Sequence, residues 1–135
     1  MKYLLDTNIC IYTIRRQSES VVRKLQALDP LDVGISVVTV AELEFGVAKS
    51  QFPEKNRSAL EMFLLPFIIC PFREADAKVY GSLRNNLQKN GTPIGSMDML
   101  IAAQAISLNC ILVTNNVREF SRIKDLQIEN WVDEK

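Results

Sequence analysis

Histidine is absent from the 135 residues. That absence excludes imidazole acid–base chemistry and His-ligated zinc. Cysteine is scarce. Cys10, Cys70 and Cys110 are odd in number, widely spaced and form no CxxC pair, so neither a zinc site nor a redox motif has sequence support. They read as reduced core thiols of a cytoplasmic protein. Net charge is also missing: 16 Lys and Arg balance 16 Asp and Glu. A general, salt-driven coat for nucleic acid is therefore excluded, although a local basic rim around an acidic centre is not. No apolar run is long. Met62 to Phe72 is the longest and is broken by Pro66 and Pro71, short of the roughly 20 residues a membrane helix needs. The N-terminal apolar stretch stops at Asp6, too soon for a signal peptide. Repeats, low-complexity tracts and Gly/Ser linkers are lacking, so one domain with a single core is expected over residues 1–135.

What remains is a chain that is 47% hydrophobic and 24% charged, the balance of a globular protein. Its apolar segments alternate between strand and helix character. Lys2 to Asp6 reads as a first strand, followed by helices over Ile9 to Arg15 and Ser20 to Leu28. Val33 to Ser36 is a short strand. A helix over Val38 to Lys49 has a T-x-x-E capping box, Thr39 with Glu42. Glu54 to Leu65 is helical, and Phe67 to Cys70 is expected to be a buried strand between prolines. A long helix over Arg73 to Lys89 closes at Asn90-Gly91. Ser96 is expected to cap a helix through Leu108, with Met97, Leu100, Ile101, Ala105 and Leu108 on its core face. Ile111 to Thr114 is strand-like, Val117 to Ile123 a short helix, and Leu126 to Ile128 an edge strand. The alternation implies an α/β fold: a central parallel sheet of four to five strands with helices on both faces.

Four carboxylates fall where strands end or helices begin: Asp6, Glu42, Asp98 and Glu119. A parallel α/β sheet gathers such positions, because its ligand crevice lies beyond the carboxyl ends of the strands. Each has a plain structural reading. Asp6 can cap the next helix, Glu42 can serve its capping box, Asp98 can answer a helix dipole, and Glu119 can sit on the surface. Together they suggest an oxygen-rich site for a hard cation, Mg²⁺ or Mn²⁺, acting on phosphates. Such an ion lowers the pKa of bound water and stabilises charge on a phosphodiester, while one carboxylate orients the attacking water. Arg15, Arg16, Lys78, Arg84, Lys89, Arg118 and Arg122 are candidates for binding phosphates. Tyr12, Phe45, Phe52 and Trp131 are candidates for base stacking, with core packing the simpler role for most.

Leu5-Asp6-Thr7-Asn8, Val40-Ala41-Glu42-Leu43-Glu44-Phe45-Gly46, Pro93 to Ala102 and Val113-Thr114-Asn115-Asn116-Val117-Arg118-Glu119-Phe120 resemble the PIN-domain ribonucleases, most closely the VapC toxins of toxin–antitoxin pairs. The resemblance implies a Mg²⁺- or Mn²⁺-dependent endoribonuclease with Asp6, Glu42, Asp98 and Glu119 as its acids and Thr7, Thr114 and Asn116 as their support. It implies a VapB antitoxin whose tail enters the groove, homodimers, hetero-oligomers that reach operator DNA only through the antitoxin, and cytoplasmic residence without a membrane. The Thr-Asn-Asn-x-Arg-Glu-Phe ending resembles toxins that cut initiator tRNA in the anticodon stem-loop. Two departures stand out. Asn116 occupies a place where many members carry Asp, which leaves Glu119 as the fourth acid, and Ser96 replaces a frequent Pro. Two other classes fit parts of the pattern: a haloacid-dehalogenase-type phosphatase, which would want a second Asp where Asn8 stands, and a non-catalytic RNA- or partner-binding module.

Overall fold

A computed structural model describes residues 1–132. Its sheet has five parallel strands: β1 (Tyr3–Leu5), β2 (Val33–Ser36), β3 (Ile68–Cys70), β4 (Ile111–Val113) and β5 (Ile128–Glu129). Their spatial order is β3-β2-β1-β4-β5. The chain thus builds outward from β1 in one direction and then in the other. The strand order reverses between β1 and β4, and there the carboxyl ends of the strands leave a crevice. Leu5 pairs with Ile35 on one side and Val113 on the other, which fixes the register at the crevice mouth.

The side-chain period of two gives the sheet two cores. Tyr3, Leu5, Val33, Ile35 and Val113 face α1 (Thr7–Ile14), α2 (Glu19–Ala27), α3 (Val37–Ala48) and α4 (Pro53–Leu64). Leu4 and Leu112 face α5 (Glu74–Lys89) and α6 (Ser96–Ser107), with Phe120 from α7 (Val117–Phe120) closing that side. Trp131 packs edge-on against Tyr3, with ring centroids 5.1 Å apart, and its indole N–H donates to Glu129. It belongs to the core and is removed from the base-stacking set.

Several local expectations change. Ser36, not Thr39, caps α3: its hydroxyl accepts the Val38 N–H at 3.0 Å. Thr39 lies inside the first turn and is fully buried, so no capping box forms and Glu42 is free of that duty. Gly95 rather than Ser96 is the N-cap of α6, and no side chain caps it. Met97 is 48% exposed, and Met99 is buried instead. The run Ile101 to Ala105 is buried without a break, so α6 is wrapped nearly all round and shows little one-sidedness. β3 is an edge strand with Ile68 and Ile69 exposed, because the apolar run that suggested burial faces outward once β3 has a single neighbour. All three cysteines are free and buried. No helix among the described residues is long and apolar enough to cross a membrane.

Candidate active site

Asp6 follows β1 directly and is 4% exposed. One oxygen, Oδ1, caps α1 by accepting the Ile9 N–H at 2.9 Å, and the other accepts the Thr114 hydroxyl at 2.5 Å. Thr114 follows β4, so a single carboxylate bridges the ends of the two strands that flank the crevice. The Asp6 N–H donates to the Val113 carbonyl at 3.0 Å, which locks the backbone at the same point. The capping reading of Asp6 is correct and incomplete, since the cap uses half of the carboxylate.

Glu42 projects from the middle of α3, and its Oε1 accepts the Thr7 hydroxyl at 2.5 Å. Thr39 lies one turn earlier, with its hydroxyl 3.5 Å from that of Thr7. Glu44 points elsewhere and pairs with Arg57 on the surface. Asp98 is half-buried in the first turn of α6. Glu119 lies on α7, where the Asn116 amide donates to its Oε2 at 3.0 Å. The Asn116 backbone N–H donates to Thr114 Oγ1 at 2.9 Å. Thr7, Thr114 and Asn116 therefore each hold one of the carboxylates or its neighbour.

Electrostatics joins the four. Burial pushes the Asp6 carboxyl up from 3.8 to about 6; the bonds from Thr114 and Ile9 pull it down, and the charges of Asp98 and Glu42 push it up again. Asp98 is also raised, first by burial and then by Glu42 and Glu119. Asp98 thus lies in the field of Glu42 and Glu119, and Asp6 in that of Asp98 and Glu42. Among the described residues the ion pairs are Arg57 with Glu44 and Arg73 with Asp76, so no side-chain cation neutralises the group. An uncompensated acidic cluster of this kind calls for a hard cation. Among the described residues no three of these side chains converge tightly enough to enclose an ion by themselves. Asp6 and Asp98 would hold such an ion, with Glu42 and Glu119 beside them.

Two further residues had other readings in the sequence. Tyr12 is a base-stacking candidate by sequence, and Asn115 belongs to the Val113 to Phe120 motif. The Asn115 amide donates to the Tyr12 hydroxyl at 3.0 Å, which ties α1 to the loop after β4 beside Asp6. The pair is 103 positions apart, and nothing local signals it.

A five-stranded parallel sheet with carboxylates from four separate segments at its switch-point crevice defines an α/β fold of the nuclease type. The chain belongs to the PIN-domain family, whose model matches residues 3–126. It is 44% identical over 132 residues to the ribonuclease VapC2 of Rickettsia felis, covering 97% of this chain and 98% of that one. It is 41% identical over 131 residues to the tRNA(fMet)-specific endonuclease VapC of Shigella flexneri, with 97% and 98% covered. Among solved structures it resembles VapBC2 from Rickettsia felis bound to a promoter DNA fragment, with a TM-score of 0.92, 43% identity and 97% and 99% coverage.

Proposed function

We propose that the chain is a metal-dependent endoribonuclease toxin, neutralised by a VapB-type antitoxin. The observation that carries this reading is the meeting of Asp6, Glu42, Asp98 and Glu119 at the strand-order reversal, with the Asp6 and Asp98 carboxyls raised by burial and by their acidic neighbours and no side-chain ion pair to any of the four among the described residues. A bound Mg²⁺ or Mn²⁺ would supply charge stabilisation on the phosphodiester and a more acidic water. The remaining work belongs to the protein. Thr114 and the Ile9 N–H hold Asp6 in one orientation. Thr7 aims Glu42 into the crevice, and Asn116 aims Glu119. A carboxylate so held can accept a proton from the attacking water.

An aspartyl-nucleophile phosphatase fits less well. That chemistry would want a second Asp two residues after Asp6, and Asn8 stands there. The similarity to an enzyme named for tRNA(fMet), together with the Thr114 to Phe120 motif, supports initiator tRNA as the target.

Beside Glu42 runs an apolar groove of about 680 Å³ between α1, α3 and α4, lined by Ile11, Ile14, Leu43, Phe45, Leu60 and Met97 among others. It suits the apolar face of a partner helix. Arg15 and Lys49 at its edge suit an acidic flank on that partner. Homodimers, hetero-oligomers and cytoplasmic residence complete the reading. The test is cleavage of RNA by purified parent and Asp98→Asn in Mg²⁺. The parent should cut and the variant should not, with the variant's circular dichroism unchanged. Equal cutting by both would place the chemistry elsewhere.

A further inference from the structure

A cleft of about 550 Å³ lies between α5 and the segment after α7, outside the carboxylate cluster. Lys78, Ser82, Asn86 and Asn90 recur every four residues along α5 and line one wall. That spacing keeps side chains on one helix face. At 1.5 Å per residue the ridge runs about 18 Å. Leu83 and Leu87 form an apolar floor with Ile123. Arg122, Lys124 and Asp125 line the opposite wall. Three cations thus face one carboxylate in a chain whose net charge is zero. None of the ion pairs among the described residues engages Lys78, Arg122 or Lys124.

The cleft starts at the active-site corner. The Arg122 N–H donates to the Glu119 carbonyl at 3.1 Å. The Arg122 guanidinium donates to the Pro93 carbonyl at 3.0 Å, on the loop that leads to Asp98. Arg122 therefore joins the elements that carry two of the four acids to the basic wall.

We infer that this cleft binds the sugar–phosphate backbone of the RNA strand on one side of the scissile phosphate. The inference rests on the nuclease reading. An acidic centre repels every phosphate that is not at a cation, so a bound strand needs positive charge just beyond it. Arg122 supplies that charge at the near end, and Lys124 and Lys78 extend it along the cleft. Ser82, Asn86 and Asn90 supply hydrogen bonds to phosphate and ribose oxygens. The Leu83 and Leu87 floor accepts ribose and base edges. The apolar groove on the other flank offers two cations, Arg15 and Lys49, at its edge and no comparable row of polar side chains.

The test uses full-length Asp98→Asn, which binds without cutting, and fluorescently labelled bulk tRNA titrated at several salt concentrations. Lys78→Gln with Lys124→Gln should weaken binding severalfold at low salt. It should also flatten the slope of log affinity against log salt by about 1.4, or about 0.7 for each single-strand phosphate left without its lysine. Lys24→Gln on the opposite face of the sheet is the control, and the slope should stay at the parent value. Both target lysines are exposed, so the fold should survive. An unchanged slope in the double variant, or an equal loss in the Lys24 control, overturns the inference. So does a loss of antitoxin affinity with RNA affinity intact, which would assign the cleft to an acidic protein segment. Failure of the unmutated chain to cut or bind RNA would instead remove the nuclease reading itself.

Discussion

Two hollows lie on either side of the same four carboxylates, and they differ in the polar groups set around their apolar surfaces. The groove between α1, α3 and α4 is walled by Ile11, Ile14, Leu43 and Leu60, with Phe45 two-thirds exposed at its lip. The cleft along α5 carries Lys78, Arg122, Lys124 and the amides of Asn86 and Asn90 on its walls, with Asp125 among them, over an apolar floor that includes Val79, Leu83, Leu87 and Ile106. Apolar walls reward the burial of a protein helix and do little for a phosphate chain. Cationic and amide walls do the reverse. An acidic centre between them can be supplied with substrate from one side and blocked from the other. On the proposed reading, a chain of zero net charge would recognise a polyanion by segregating its charges rather than by carrying an excess.

Four experiments break or sharpen that contrast. The largest effect belongs to the shared centre. Asp98→Asn should slow RNA cleavage about a thousandfold, since charge stabilisation at such a site contributes several kcal/mol. Antitoxin and tRNA should still bind, each on its own side. If the variant stops binding both, the hollows are not independent.

Asp6→Asn tests the cost of the buried charge. The Asp6 carboxyl is raised in the fold to about 6 from 3.8, chiefly by burial. Its contribution to stability is therefore full below about pH 4 and falls as pH rises through about 6. In metal-free urea melts at pH 7 the Asn variant should be more stable than the parent, by up to about 3 kcal/mol. The gap should close as pH falls past 4. A less stable variant at pH 7 would mean that the bonds to Ile9 and Thr114 outweigh the charge.

Phe45→Ala addresses the apolar flank alone. An exposed aromatic anchor in a helix-binding groove typically contributes about 2 kcal/mol, so antitoxin affinity should fall roughly thirtyfold in a direct titration. The salt slope for tRNA should not move. A fall in tRNA affinity instead would return Phe45 to base stacking and erase the contrast. Thr7→Val should have the smallest effect. It removes the hydroxyl that holds Glu42, a loss of about 1 kcal/mol, and should lower kcat severalfold with KM for RNA unchanged.

The sequence carried much of this. Val33 to Ser36 is a strand at its expected bounds, most other elements shift by a residue or two, and α7 ends three residues early, at Phe120 instead of Ile123. The four acids and their Thr and Asn supports stand together at the crevice. The misreadings have one origin. Thr39 with Glu42 satisfies a capping motif that the actual turn, set earlier at Ser36, does not use. Met97 follows an amphipathic pattern that a fully wrapped α6 does not need. Phe67 to Cys70 is apolar enough for a central strand, yet strand order puts it at the edge. Local pattern reports what a segment prefers and not how many neighbours it will have.

The amino-acid order alone determined the alternating α/β character and the absence of imidazole chemistry, and it singled out four acids as candidates, of which Glu42 lies in mid-helix rather than at a helix start. Those follow from periodicity and composition, which are local. The tertiary structure decided that Asp6 bridges β1 and β4, that Asn115 meets Tyr12, and that one flank of the acids is apolar while the other is basic. Each of these joins residues far apart in the chain. Only the packing of helices on a sheet whose order reverses at β1 brings them together.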